Sequence, residues 1–151
     1  MKTFVCSICG HISFEYAPVE CPVCGMSIEN FDNDPAVIKI PPDPANLTDL
    51  EKKHIPQIVI DKQCSLIEEG CINVSLMVGA EEHVMESEHF IKYIDFYLDT
   101  KYVSRFVLTP KLIHPAACFH MNMVEGKIAA IAHCNVHGNW MTELDLQQKE
   151  H

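Results

Sequence analysis

Four cysteines stand in two close pairs near the start of the chain, Cys6-Ser7-Ile8-Cys9-Gly10 and Cys21-Pro22-Val23-Cys24-Gly25. Few large apolar residues lie between them. A unit spanning residues 1–35 cannot bury enough surface to fold alone, so a metal must supply the stability. Each Cys-x-x-Cys turn aims two thiolates at one point. The glycine that follows lets the backbone turn without a Cβ clash, and the turn's amides can hydrogen-bond to sulfur. Two such turns make a tetrahedral cage of four sulfurs, which fits zinc or iron. Structural zinc is the plainer alternative, redox iron the other.

The rest of the chain divides into a connector and a β-rich body. Residues 36–50, preceded by Pro35 and holding Pro41, Pro42 and Pro44, read as a proline-rich linker. Asn46-Leu47-Thr48-Asp49-Leu50 predicts one capped helical turn before Glu51. From His54 the pattern has period two. Ile72, Val74, Leu76 and Val78 alternate with polar residues, as do Ala117, Phe119, Met121 and Met123 with Cys118, His120 and Asn122. Phe90, Ile94, Phe96 and Leu98 share a parity, and Trp140, Thr142, Leu144 and Leu146 close the series. Short strands at this spacing predict a mostly β chain, with a β-sandwich over residues 51–151.

The net charge of −10 and pI near 5.2 argue against nucleic-acid or anionic-membrane binding. A small anionic substrate would need a local positive patch, for which Lys52-Lys53 is a candidate. No apolar stretch follows Met1-Lys2-Thr3, and no run approaches the ~20 apolar residues of a membrane helix. A cytoplasmic location is expected, and there the eight cysteines argue for metal ligation over disulfides.

A second constellation is richer in nitrogen. Cys134-Asn135-Val136-His137-Gly138 places a thiol and an imidazole on one tight turn. His83 and His89 sit six apart in an acidic, loop-like segment, and His54 stands where the β-rich body begins. Trp140 could roof a site against water. A cysteine and a histidine in a β-rich region can also be plain core residues. Cys134-x-x-His137-x-x-x-Met141 also approximates a blue-copper loop, a reading that needs one upstream histidine and leaves two idle. A purely structural zinc protein would use the first constellation and waste the second.

The N-terminal segment, with Phe4-Val5-Cys6-x-x-Cys9-Gly10-His11 and Cys21-Pro22-x-Cys24-Gly25, resembles the rubredoxin-like domains of rubrerythrins, which carry one redox iron. Lys53-His54-Ile55-Pro56, His83-x5-His89 and Cys134-Asn135-Val136-His137-Gly138-Asn139-Trp140, in that order, resemble superoxide reductase, the iron domain of desulfoferrodoxin and neelaredoxin. The resemblance implies an immunoglobulin-like sandwich and a mononuclear iron. It implies His54, His83, His89 and His137 as ligands in one plane, with Cys134 axial. The implied reaction is one-electron reduction of superoxide to hydrogen peroxide. Lys53 would attract the anion and order a proton-delivering water. Beside such a site, redox iron in the four-cysteine cage becomes the favoured reading, as an electron relay. A rubredoxin or a flavoprotein reductase as donor and a homodimer are implied too.

The chain departs from the family pattern at Lys52, where a glutamate able to cap the oxidised iron usually stands; Glu51 is one residue earlier. Val84 replaces a proline after the first histidine of the pair. An insertion carries Cys64 and Cys71, expected as unligated thiols in a hairpin, with a redox-linked disulfide as the alternative. Cys118 is expected in the core. His133 should point away from Cys134 if the segment is extended. His11, His114, His120 and His151 receive no functional role.

Overall fold

The structure, a computed structural model, describes residues 1–122 and 124–147. The expected pairing of Met123 and the terminal His151 lie outside them. The small N-terminal sheet has order β2-β1-β3, from β1 (Thr3–Cys6), β2 (Ile12–Phe14) and β3 (Phe31–Asn33). A two-residue strand, β4 (Ile38–Lys39), and a short helix, α1 (Asp49–His54), lead into the body. The body holds β5 (Pro56–Asp61), β6 (Cys71–Val78), β7 (Ile91–Leu98), β8 (Lys101–Val107), β9 (Ala116–Asn122), β10 (Lys127–Cys134) and β11 (Gly138–Asp145).

Two sheets form the sandwich, β5-β6-β9 and β4-β11-β10-β7-β8. The period-two faces meet between them. Ile72, Val74, Leu76 and Val78 of β6 are buried against Ile94 and Phe96 of β7 and Ile128, Ala130 and Ala132 of β10. Burying such a face supplies ~25 cal/mol per Å² of apolar area and fixes the register, because a one-residue slip would turn the face outward.

The other face of the larger sheet is covered as well. Ile12 and Phe14 of the small sheet pack on Tyr97, Ala129, Ile131 and Met141. Strand β7 is therefore buried on both faces from Tyr93 to Tyr97. Its outward residues mix polarity with apolar area. Tyr97 Oη–H donates to the Ile12 carbonyl at 2.7 Å. Asp95 pairs with Arg105, whose Nη1 donates to the Cys9 carbonyl at 2.7 Å.

Two expectations need correction. The predicted turn before Glu51 is a helix that runs on to His54, because Thr48 and Glu51 close a capping box. Within the connector, β4 joins β11 in parallel, Ile38 with Asn139 and Lys39 with Trp140. Cys118 lies on the solvent face of β9, opposite Phe119, and is exposed. Its parity with His120 and Asn122 already placed it outside.

Candidate metal centres

The four N-terminal sulfurs converge. Cys6 and Cys24 Sγ lie 3.7 Å apart, and Cys9 and Cys21 Sγ 3.6 Å apart. A tetrahedral ion with metal–sulfur bonds of ~2.3 Å requires sulfur–sulfur edges of about 3.8 Å, so the cage has the right size. Gly10 and Gly25 both take φ of +78°, the conformation that lets each turn close. The His11 amide donates to Cys9 Sγ at 3.4 Å. Burial nonetheless pushes the Cys9 thiol well up, against that amide and with the crowding of Cys21 and Cys24. A cation at the centre would reverse this preference.

The second centre is built from four separate segments. Helix α1 ends on His54, whose Nδ1–H donates to the Leu50 carbonyl at 2.7 Å, leaving the Nε2 lone pair free. His83 does the same through the Val84 carbonyl at 2.6 Å. Both rings thus turn a bare nitrogen inward, which is the second-shell arrangement of metal-ligating histidine. The two Nε2 atoms lie 3.2 Å apart. Two lone pairs facing each other in a buried site repel unless a cation lies between them. His89 Nε2 is buried without a partner among the described residues. The donor set therefore fits a metal ion and is unsatisfied without one.

The imidazoles form a closed ring. Neighbouring centroids are 4.7 Å apart for His54–His83, 4.8 Å for His83–His89, 5.1 Å for His89–His137 and 4.8 Å for His137–His54. His54 and His89 face each other across it at 6.3 Å. Cys134 Sγ lies 3.5 Å from His83 Nε2 and 3.8 Å from His137 Nδ1. Donor atoms of His54, His89, Cys134 and His137 all lie within 4.8 Å of one another, and His83 borders them through its contacts with His54 and Cys134. A blue-copper arrangement would leave two of these imidazoles unused.

Burial favours the neutral form of three of these imidazoles. It lowers the pKa of His54, and that of His83 to about 4, with neighbouring imidazoles adding to the effect. His137 is lowered too, first by burial and then by His89 and Lys39. Neutral imidazoles are the form that binds metal.

Two supporting residues, Asn135 and Lys39, were given no role by the sequence. Asn135 ties the His89 loop to the Cys134 turn, accepting from the Phe90 amide at 2.9 Å and donating to the Glu88 carbonyl at 2.9 Å. Lys39 donates to the His137 carbonyl at 2.8 Å and lies 5.3 Å over the Trp140 ring. It comes from the proline-rich connector, where nothing local marks it. Trp140 stacks on His54 at 5.1 Å and donates to the same carbonyl at 3.1 Å, so it does roof one side of the ring. Lys53 is exposed beside His54. Glu51 turns back to the Thr48 amide at 3.2 Å as part of the helix cap.

His133 faces away from Cys134, toward the small domain. It stacks on Tyr93 with centroids 4.8 Å apart and planes 6° from parallel. Tyr93 Oη–H reaches the Gly10 carbonyl at 3.5 Å, and Arg105 covers the other part of the ring at 3.7 Å. Cys64 and Cys71 are not free thiols; they form a disulfide.

Residues 46–143 match the desulfoferrodoxin family, and residues 4–32 the rubredoxin-like domain of rubrerythrin. The chain belongs to the desulfoferrodoxin family. It is 31% identical over 107 residues to a superoxide reductase of Pyrococcus abyssi, covering 64% of this chain and 89% of that one. It is 33% identical over 93 residues to a desulfoferrodoxin of Desulfarculus baarsii, covering 62% of this chain but only 64% of the relative. The solved superoxide reductase of Nanoarchaeum equitans is similar in fold, with a TM-score of 0.55, 27% identity, and 63% and 94% of the two chains covered. These relatives are oxidoreductases, and their β-sandwich is the fold seen here. No helix among the described residues is long and apolar enough to cross a membrane.

Proposed function

We propose that the chain is a superoxide reductase, forming hydrogen peroxide from superoxide with a mononuclear iron that His54, His83, His89, His137 and Cys134 would hold. The observation that carries this is the closed ring of four imidazoles around a single buried thiol. Bound there, iron supplies the one-electron chemistry. The chain's own residues do the rest. Cys134 is 1% exposed and His54 2%, whereas His89 and His137 keep an edge in solvent, so an anion reaches the ring from their side. Lys39, bonded to the His137 carbonyl, supplies positive charge there on a chain of net charge −10. Lys53, exposed and next to a ligand, is the residue we assign to holding the anion and ordering a proton-delivering water.

We further propose that the four-cysteine centre holds iron and passes electrons inward, from a rubredoxin or flavoprotein reductase. Cys24 is exposed, whereas the Cys9-Gly10 turn packs on the sandwich. A contact path runs from the Gly10 carbonyl through Tyr93 and the stacked His133 to the adjoining Cys134. This supports transfer within one chain. The reading takes residues 1–35 as relay, 36–50 as linker and 51–151 as reductase, in a cytoplasmic homodimer.

Metal analysis together with a superoxide pulse tests the proposal. Two irons per chain and peroxide formed without released dioxygen are expected. Copper, or one zinc and no iron, would sink it; one iron with one zinc would remove the relay and leave the reductase.

A further inference from the structure

The hairpin of β5 and β6 has a chemical group at each end. His54 stands two residues before its first strand and His83 follows its second, so the imidazole ring sits at the open end. At the tip, Cys64 and Cys71 are joined across seven positions, with Cα atoms 6.0 Å apart. His120, reaching over from β9, puts Nδ1 3.2 Å from Cys71 Sγ. The two sulfurs and one His120 ring nitrogen all lie within 4.8 Å of one another. Cys71 is 4% exposed, Cys64 half-buried and His120 exposed. Nothing in the proposed reduction of superoxide uses these three residues.

We propose that Cys64, Cys71 and His120 form a metal-free redox site, a dithiol that hydrogen peroxide oxidises to the disulfide. The chemistry follows from the placement. A thiolate is the reacting form of cysteine, and an adjacent imidazole favours it. Cys64 is the sulfur that solvent reaches. It attacks one peroxide oxygen, the O–O bond breaks, water leaves, and Cys64 becomes a sulfenic acid. His120 takes the proton from the Cys71 thiol. Cys71 sulfur then attacks Cys64 sulfur, the S–O bond breaks, and the departing hydroxide takes the proton back as water. Two thiols and one peroxide give one disulfide and two waters. A small thiol reverses the change by attacking the accessible Cys64, with Cys71 leaving beside His120.

The source of the oxidant rests on the proposed reductase activity; the site itself does not. β6 has eight residues and so sets the dithiol ~25 Å along the hairpin from the imidazole ring, a distance peroxide crosses by diffusion. Cys118 provides a control within the same chain. It is exposed and free, its thiol donates to Asn73 Oδ1 at 2.9 Å, and among the described residues it bonds to no imidazole.

The test uses the metal-loaded, full-length protein, reduced with a small thiol, freed of it, and given one equivalent of hydrogen peroxide without air. Alkylation and peptide mass mapping follow each cysteine. Cys64 and Cys71 should close into the disulfide roughly tenfold faster than Cys118 is modified, as an imidazole-assisted thiol should. In His120→Asn closure should slow by a similar factor, with dimedone-trapped sulfenate building up on Cys64. In Cys71→Ser the Cys64 sulfenate should persist. Equal loss of Cys118, unchanged closure in His120→Asn, or a disulfide that the small thiol never opens would each overturn the proposal. So would a third metal equivalent held by the reduced protein and lost in Cys64→Ser. A superoxide generator replacing added peroxide separates the two readings. Closure that catalase prevents supports both. Closure with peroxide but not with superoxide refutes the reductase as the source and leaves the dithiol standing.

Discussion

Replacing Arg105 by methionine should unfold the contact between the two metal-bearing units. The Arg105 and Asp95 side chains are 8% and 3% exposed, so the pair is a buried one. Arg105 makes two bonds to Asp95, 2.6 Å and 2.8 Å, a third to the Cys9 carbonyl at 2.7 Å, and stacks on Tyr93. Arg105→Met fills similar volume but leaves a carboxylate without its partner between two sheets. Breaking one side of a buried pair costs about 3–5 kcal/mol, which dominates the ~1 kcal/mol of the bond lost at Cys9. Adding Asp95→Asn removes the stranded charge, so the double variant should recover to within ~2 kcal/mol of the parent. Urea unfolding followed by the fluorescence of the single tryptophan, Trp140, reads the sandwich, and the four-sulfur absorption reads the small domain. Parent, both single variants and the double complete a thermodynamic cycle. If Arg105→Met cost under ~1 kcal/mol, or the two costs simply added, the pair would be behaving as an exposed one and the docking argument would fail.

Other perturbations address the sites more directly. His83→Ala should lower the metal content from two ions per chain to one while the four-sulfur spectrum stays unchanged; two retained ions would remove His83 from the ligand set. Gly10→Ala should destabilise the docked small domain by ~1–3 kcal/mol, since φ is +78° and the new Cβ would meet Tyr93 Oη. Gly25→Ala shares that φ but meets nothing nearer than Glu20 at 3.6 Å, so urea midpoints should rank it milder. In the metal-free protein His83 has a folded pKa of about 4 against 6.5 for the unfolded chain. The unfolded chain then binds more protons between those values, so stability should be full above the upper one and fall as pH drops toward the lower. Melting temperatures of metal-free His83→Gln, compared with the parent, should lose part of that slope. Thr48→Ala should cost ~1 kcal/mol by uncapping the helix that ends on His54, and should weaken metal retention at the second centre only.

Much of the sandwich was legible because burial on one face writes itself as alternation. Ile72, Val74, Leu76 and Val78 are all buried as their parity required. The spacing within each cysteine pair likewise encodes a local turn, so the sulfur cage could be read without the fold. What could not be read depends on a remote partner. Both faces of β7 are buried only because the small sheet lies on Tyr93, Asp95 and Tyr97. Lys39 reaches the second centre only because β4 pairs with β11. Cys64 and Cys71 looked like idle thiols since a disulfide depends on three-dimensional approach, which seven positions of sequence do not specify. Cys118 is a different case. The alternation placed it outside, and the general tendency of cysteine to be buried was the wrong guide.

The end of β10 shows how one residue step can connect two centres. His133 and Cys134 are neighbours, yet in an extended strand they face opposite sides. A register irregularity between them brings Cys134 opposite Ile91 while His133 stays opposite Tyr93. The same irregularity leaves His133 in the outward layer with Tyr93 and Arg105, against the Cys9-Gly10 turn. Cys134 meanwhile turns inward beneath the imidazole ring. A strand without that irregularity could not keep both pairings, because the turn from Cys134 to His137 is also fixed by the hairpin with β11. Inserting one alanine after His133 should therefore do more than lose a ligand. It should turn Cys134 toward the small domain and separate the second centre from Tyr93. The loss of second-site metal with the four-sulfur cage intact would follow from the pleat alone.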